Sequence, residues 1–326
     1  MRAKAVLHSR RRVASPALAL VAAGAAAVPA AVAAAVGASA AYRVYHPRRQ
    51  RPNRTPADDG MDLRSLDVRA SYDGVTLSGW VVPGKGPHTV VLCHGMGRNR
   101  SSVLGHIRML HRAGHHVVAY DLRNHGDSGS DRAYGRMADR FTSDLRDVVE
   151  HVRADPWLGA GRTAILAFSF STWPAVYVLR HLAVPVSAVI CDSGPAADIG
   201  AALRRVIALR RRSLPALVRS DACFPVCRLA FEVVGRHMLG VRGWPPDLDG
   251  LGTRLLFVAG ARDPVIPCEV VTAFADRYGD ARAWVADHAL HSNGLRSDRQ
   301  DYVPLVTGFL ADAFGAADGR READGG

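Results

Sequence analysis

The chain has 326 residues, 48% of them hydrophobic, enough to bury one large core together with an insertion. Its formal net charge is +12, yet residues 1–54 hold ten of the 42 basic side chains and no acid, which leaves 32 basic against 30 acidic residues in the remainder. A body so close to neutral lacks the broad positive footprint that phosphate backbones require, and nucleic acid is excluded as a partner.

Residues 13–42 carry no charge and are flanked by basic residues on both sides. As a helix they would reach about 45 Å, more than the roughly 30 Å hydrocarbon core of a bilayer. More than half are alanine, and Pro16, Gly24, Pro29 and Gly37 interrupt them, so their drive to insert is modest. Three readings stand. An uncleaved anchor, and hence membrane association through the N-terminus, is preferred on length. A secretory signal fits the tripeptide Ala38-Ser39-Ala40 and the loosely twin-arginine-like Ser9-Arg10-Arg11-Arg12-Val13; a soluble alanine-rich helix is the third. The flanking charges balance and leave orientation open. Residues 43–55, rich in Arg and Pro, are expected to run as a linker along a headgroup surface, closing an N-terminal region of residues 1–57.

From residue 58 the pattern is that of a globular domain reaching residue 314. Residues 62–71 and 75–82 alternate apolar and polar side chains around Tyr72-Asp73-Gly74, which predicts an antiparallel hairpin. Apolar strands follow at 89–92, 116–120, 162–168, 186–192, 253–260 and 281–287. Helical patterns lie between them at 101–112, 141–153, 171–181 and 268–278, and a last one at 300–314. In the second of these, Leu145, Val148, Val149 and Val152 form one apolar face. Such alternation implies a mainly parallel sheet with right-handed crossovers. Residues 195–250 stand outside it and read as a helical insertion. Within it residues 201–212 carry Arg204, Arg205, Arg210, Arg211 and Arg212, read as a solvated face, with attraction to an anionic substrate or membrane as the alternative. Residues 315–326 read as a disordered tail.

Three motifs sit at the carboxyl ends of the predicted strands. Cys93-His94-Gly95-Met96-Gly97 follows the strand at 89–92. Asp121-Leu122-Arg123-Asn124-His125-Gly126-Asp127-Ser128 follows the strand at 116–120. Ala167-Phe168-Ser169-Phe170-Ser171 breaks sharply out of the strand that precedes it. The last resembles a nucleophile elbow, in which a strained turn between strand and helix exposes a serine. A serine hydroxyl needs a base and a group to orient that base. Downstream, Gly260-Ala261-Arg262-Asp263 and His288-Ala289-Leu290-His291-Ser292-Asn293 supply candidates, in the chain order Ser169, Asp263, His291.

These motifs and their order resemble the α/β-hydrolase superfamily across about residues 70–314, in particular its serine esterases and lipases. The resemblance implies an α/β-hydrolase fold with a helical cap at 195–250 that shapes the substrate pocket. It also implies a small acyl substrate, no organic cofactor and no metal, and a mechanism with Ser169 as nucleophile, His291 as base and Asp263 as its orienting acid. The N–H groups of Met96 and Phe170 would cradle the oxyanion. His288 rivals His291 and Asp192 rivals Asp263; His291 is preferred for its place on the loop and its His-Ser pair, Asp263 for its spacing from Gly260. His94 and His125 are expected to be structural. Ala167 and Ser171 stand where the family usually has glycine, which leaves the fit of the elbow, and its activity, open. The five cysteines suggest no structural metal, since no second ligand pair stands near Cys223 and Cys227. A non-hydrolytic binding protein on the same fold is the second function class, and thioesterase, acyltransferase or peptidase chemistry would share the same machinery.

Overall fold

The computed structural model describes residues 16–323, with side chains described for residues 27–315. The twin-arginine-like segment lies outside the described residues. A long first helix, α1 (Pro16–Tyr45), precedes an eight-stranded sheet made of β1 (Arg64–Arg69), β2 (Thr76–Val82), β3 (Thr89–Cys93), β4 (His116–Tyr120), β5 (Thr163–Phe168), β6 (Ala188–Asp192), β7 (Arg254–Gly260) and β8 (Arg282–Ala286). Their spatial order is β1-β2-β4-β3-β5-β6-β7-β8. The hairpin β1–β2 and the pair β2–β4 are antiparallel, and all other pairs are parallel.

Every residue of β3, β4, β5 and β6 is buried, as expected of strands covered on both faces. Alternate side chains serve opposite layers. Val90, Leu92, Ala164 and Leu166 pack with Ile107 and Leu110 of α2 (Leu104–Arg112) and with Tyr302, Val306 and Leu310 of the C-terminal helix. Val91, Cys93, Ile165 and Ala167 pack with Phe141, Leu145 and Val149 of α3 (Met137–Ala154) and Trp173 of α4 (Thr172–Tyr177). Phe274 of a helix after β7 joins the same layer. The turn after β4 is fixed by Arg123, whose fully buried guanidinium donates to Asp144 at 2.6 and 2.7 Å, to Asp131 at 2.6 Å and to Asp73 at 2.9 Å. Asn124 takes the left-handed conformation, φ 67°, that its glycine-like position requires.

Between β6 and β7 stand α5 (Ile199–Leu209) and α6 (Phe224–Leu239). α1 packs along α6, burying Ala33, Gly37, Ala41 and Tyr45 at four-residue spacing. The approach is close: a Cβ on Gly37 would sit 2.2 Å from the Cys227 carbonyl oxygen. The two helices run in the same direction, since Ala33 lies with Cys223 and Cys227, Ala41 with Phe231, and the Tyr45 hydroxyl donates to the Gly235 carbonyl at 2.9 Å.

Residues following α1 do not lead away as a free linker. Backbone carbonyls that an extended segment leaves open are taken by loop side chains: Gln50 O accepts from Asn99 at 3.0 Å and Arg54 O from Ser101 at 2.6 Å, while His46 meets Asp131 at 3.1 Å. The fold closes with α7 (Cys268–Ala275), the short α8 (Gly294–Ser297) and α9 (Arg299–Ala323). α9 covers most of the stretch expected to fray, and residues 324–326 lie outside the described residues.

Candidate active site

β5 ends at Phe168 in extended backbone, and Ser169 turns to a left-handed φ of 53° before a short 3-10 turn leads into α4. A non-glycine residue there is strained, and the geometry lifts its side chain above the end of the sheet. Ser169 Oγ lies 2.6 Å from His291 Nε2, and His291 Nδ1 lies 2.7 Å from Asp263 Oδ2. With Nδ1–H donated to the carboxylate, Nε2 is the acceptor for the serine proton. The buried Asp263 side chain is held in turn by the N–H groups of Val265, at 2.7 Å, and Ile266, at 3.0 Å, both donating to Oδ1. The three residues picked from chain order thus meet from three different strand ends.

The elbow accommodates its unusual residues. Ala167 is buried in β5, beside Cys93 of β3 and Cys191 of β6. Ser171 is also buried, and its hydroxyl donates to the His94 carbonyl at 2.6 Å, joining the elbow to the loop that carries Met96. Gly95 lies directly against the serine: a Cβ there would come within 3.2 Å of Ser169 Cβ. Phe170 packs edge-on against Phe141 and against Tyr45 at the end of α1, with ring centroids 5.0 and 6.1 Å away.

The rivals are otherwise engaged. His288 is 65% exposed and bonds Asp298 at 2.9 Å. Asp192 accepts from Tyr302 at 2.9 Å and from Ser193 at 2.9 Å; burial raises its carboxyl to about 6, against the opposing effect of these two bonds. Ser193 Oγ also accepts from the Ser292 N–H at 2.8 Å, so Asp192 braces the loop of His291 without touching the imidazole. Ser193 and Tyr302 escaped the sequence reading because neither belongs to a spaced motif. His94 and His125 are held neutral by burial, at about 4 and about 3, each donating from Nδ1 to a carbonyl and accepting a backbone N–H at Nε2. They shape the two loops around Ser169. Among the described residues no group of three or more His, Cys, Asp or Glu is arranged to hold a metal ion.

The family described as serine aminopeptidase, S33, matches residues 85–222, a segment that holds the Gly95 loop and the elbow and stops short of Asp263 and His291. A solved structure of the esterase Pf2001 from Pyrococcus furiosus superposes with a TM-score of 0.66 at 22% identity, covering 82% of this chain and 99% of that one. The chain has the α/β-hydrolase fold. The chain is also similar to the esterase EaEST from Exiguobacterium antarcticum, with a TM-score of 0.56 and 16% identity over 76% of this chain and all of that one. A third similar structure is the bottromycin epimerase BotH, with a TM-score of 0.51 and 22% identity over 76% of this chain and 99% of that one. No curated protein matches this sequence.

Proposed function

We propose that this chain belongs to the α/β-hydrolase superfamily as a serine hydrolase that cleaves an ester or related acyl bond. The observation that carries the reading is the continuous line from Ser169 Oγ through His291 to Asp263, at 2.6 and 2.7 Å. In it, His291 Nε2 takes the hydroxyl proton as Ser169 attacks the carbonyl carbon, and Asp263 stabilises the imidazolium that forms. The Met96 and Phe170 N–H groups receive the negative charge that develops on the carbonyl oxygen. His291 then passes its proton to the leaving alcohol as the carbon–oxygen bond breaks, leaving an acyl-Ser169 ester. A water molecule, deprotonated by the same imidazole, releases the acid and restores the serine. Two of the similar structures are esterases and the matching family is described as an aminopeptidase, so thioester, amide and acyl-acceptor substrates belong in the same trial. BotH shows that the fold also serves an epimerase, and the complete hydrogen-bonded line is what favours hydrolysis over a binding role here. Chromogenic esters of graded acyl length test the reading: turnover that peaks at one length supports it, and no turnover of any ester or thioester removes it.

The N-terminal helix is read as a retained part of the chain. Among the described residues one stretch, Ala27–Tyr45, is long and apolar enough by composition to cross a membrane, with mean hydropathy 1.4, although its residues 33–45 pack along α6. Cleavage after Ala40 would strip α6 of the helix that covers Cys227 and Phe231, which favours a retained helix over a removed signal.

A further inference from the structure

Tyr45, the last residue of α1, is 1% exposed and is held at three points. Its hydroxyl donates to the Gly235 carbonyl of α6 at 2.9 Å, its own carbonyl accepts from Asn124 Nδ2 at 3.0 Å, and its ring meets Phe170. A buried tyrosine fixed at both its backbone and its hydroxyl cannot swing its ring aside.

Phe170 needs such a neighbour. It is half-buried and follows Ser169, whose left-handed backbone is strained, and the peptide joining the two carries one of the proposed oxyanion donors. A strained turn keeps its shape only where the surrounding packing over-determines it. The Phe170 ring is boxed by Phe141 of α3, 5.0 Å away at an interplanar angle of 71°, and by Tyr45, 6.1 Å away at 70°. Both are edge-to-face pairs at favoured separations. Phe141 belongs to the layer beneath the sheet, whereas Tyr45 comes from a helix outside the alternation of strands and helices.

The end of α1 also bears on the second donor. Asn124, which holds the Tyr45 carbonyl, precedes His125, and His125 Nε2 accepts the N–H of Gly97, the residue after Met96, at 2.9 Å. His46 meets Asp131 at 3.1 Å, and the Asp131 N–H donates to Asn124 Oδ1 at 2.9 Å. The line from Ser169 through His291 to Asp263 does not run through any of these groups. We propose that Tyr45 is a positioning residue for the oxyanion donors: its ring fixes Phe170, and with it the N–H beside Ser169, while its hydroxyl ties α1 to α6. The role rests on the acyl-transfer reading of Ser169 and makes α1 part of the frame of the active site. Because those donors act on charge that develops only in the transition state, loss of the ring acts on kcat and leaves KM nearly alone.

The test compares Tyr45→Phe with Tyr45→Leu and Tyr45→Met in the full chain, on a chromogenic ester and with a trifluoromethyl ketone of the same acyl group. Addition of Ser169 Oγ to the ketone carbon, with the hydroxyl proton passing to His291, leaves an oxyanion between the donors. Thermal melts set the assays at a temperature where each protein is folded. Tyr45→Phe keeps the ring; it is expected to melt lower than the wild type yet hold kcat within about threefold. Tyr45→Leu and Tyr45→Met are expected to lose about tenfold or more in kcat with KM little changed, and to bind the ketone more weakly in step with kcat/KM. In a Phe170→Leu background, Tyr45→Leu should add little further loss, since it acts through that ring. Equal losses in Tyr45→Phe and Tyr45→Leu would place the effect on the docking of α1, and full kcat in Tyr45→Leu or Tyr45→Met would leave the ring without a part; either overturns the proposal. A folded wild type that cleaves no ester and takes no ketone removes the hydrolase reading and this role with it, whereas an active wild type beside an equally active Tyr45→Leu overturns the role alone.

Discussion

Ser171 donates its hydroxyl to the His94 carbonyl at 2.6 Å, so a side chain at a position usually left to glycine ties the nucleophile elbow to the loop bearing Met96. Both groups are buried, and removing the donor leaves a carbonyl without that partner. Ser171→Ala is therefore expected to cost about 1–3 kcal/mol of stability. It should also lower kcat more than it raises KM, because Met96 and Phe170, the proposed oxyanion donors, would lose their fixed spacing. Urea midpoints and steady-state kinetics check this; unchanged values of both would show that the bond is dispensable.

Asp263 and Asp192 separate cleanly by their partners. Asp263→Asn keeps the shape but no longer fixes the Nδ1–H tautomer of His291, and kcat is expected to fall by about 10⁴. Asp192→Asn keeps an acceptor for Tyr302 and Ser193 and should retain activity within roughly tenfold, since Asp192 makes no hydrogen bond to the imidazole and is linked to the His291 loop through Ser193 and Ser292. The two variants assayed on one ester decide between the acids.

Asp192 also predicts a pH dependence. Burial holds its carboxyl at about 6 in the fold, above the ordinary carboxylate value of about 4 in the unfolded chain. The protonated form is thus the one the fold favours. Its contribution is fully present below pH ~4 and is lost as pH rises through about 6. Relative to Asp192→Asn, the wild-type urea midpoint is expected to drop between those limits. A difference between the two proteins that does not vary with pH would contradict it.

The helix pair is the stability element least tolerant of volume. With a Cβ at Gly37 only 2.2 Å from Cys227 O, Gly37→Val must part α1 from α6, and a loss of roughly 1–3 kcal/mol is expected. Hydrogen exchange along α6 should rise in the variant, most of all around Phe231. Unaltered protection there would mean that α6 does not depend on α1.

Much of this site is legible in the sequence because strand ends are legible. Buried apolar runs stop at Cys93, Phe168 and Gly260, and the residue types that follow each stop are those of one chemistry. The bracing residues were not legible: Tyr302 lies on α9, far along the chain from its partner Asp192, and Ser193 is one serine among many. The packing of α1 was equally hidden. The uncharged run reads as an anchor by its length, while Ala33, Gly37 and Ala41 are small because α6 must come close. Likewise Ala167 and Ser171 read as departures, and only the neighbouring His94 carbonyl turns Ser171 into a fitted part.

The central claim is that Ser169 is an activated nucleophile, and covalent labelling by a fluorophosphonate probe measures it most directly. The intact chain is expected to label at one site, with mass spectrometry placing the adduct on Ser169, and Ser169→Ala is expected to remove it. Labelling of the variant equal to that of the wild type, or no labelling of a folded wild type, would contradict the account.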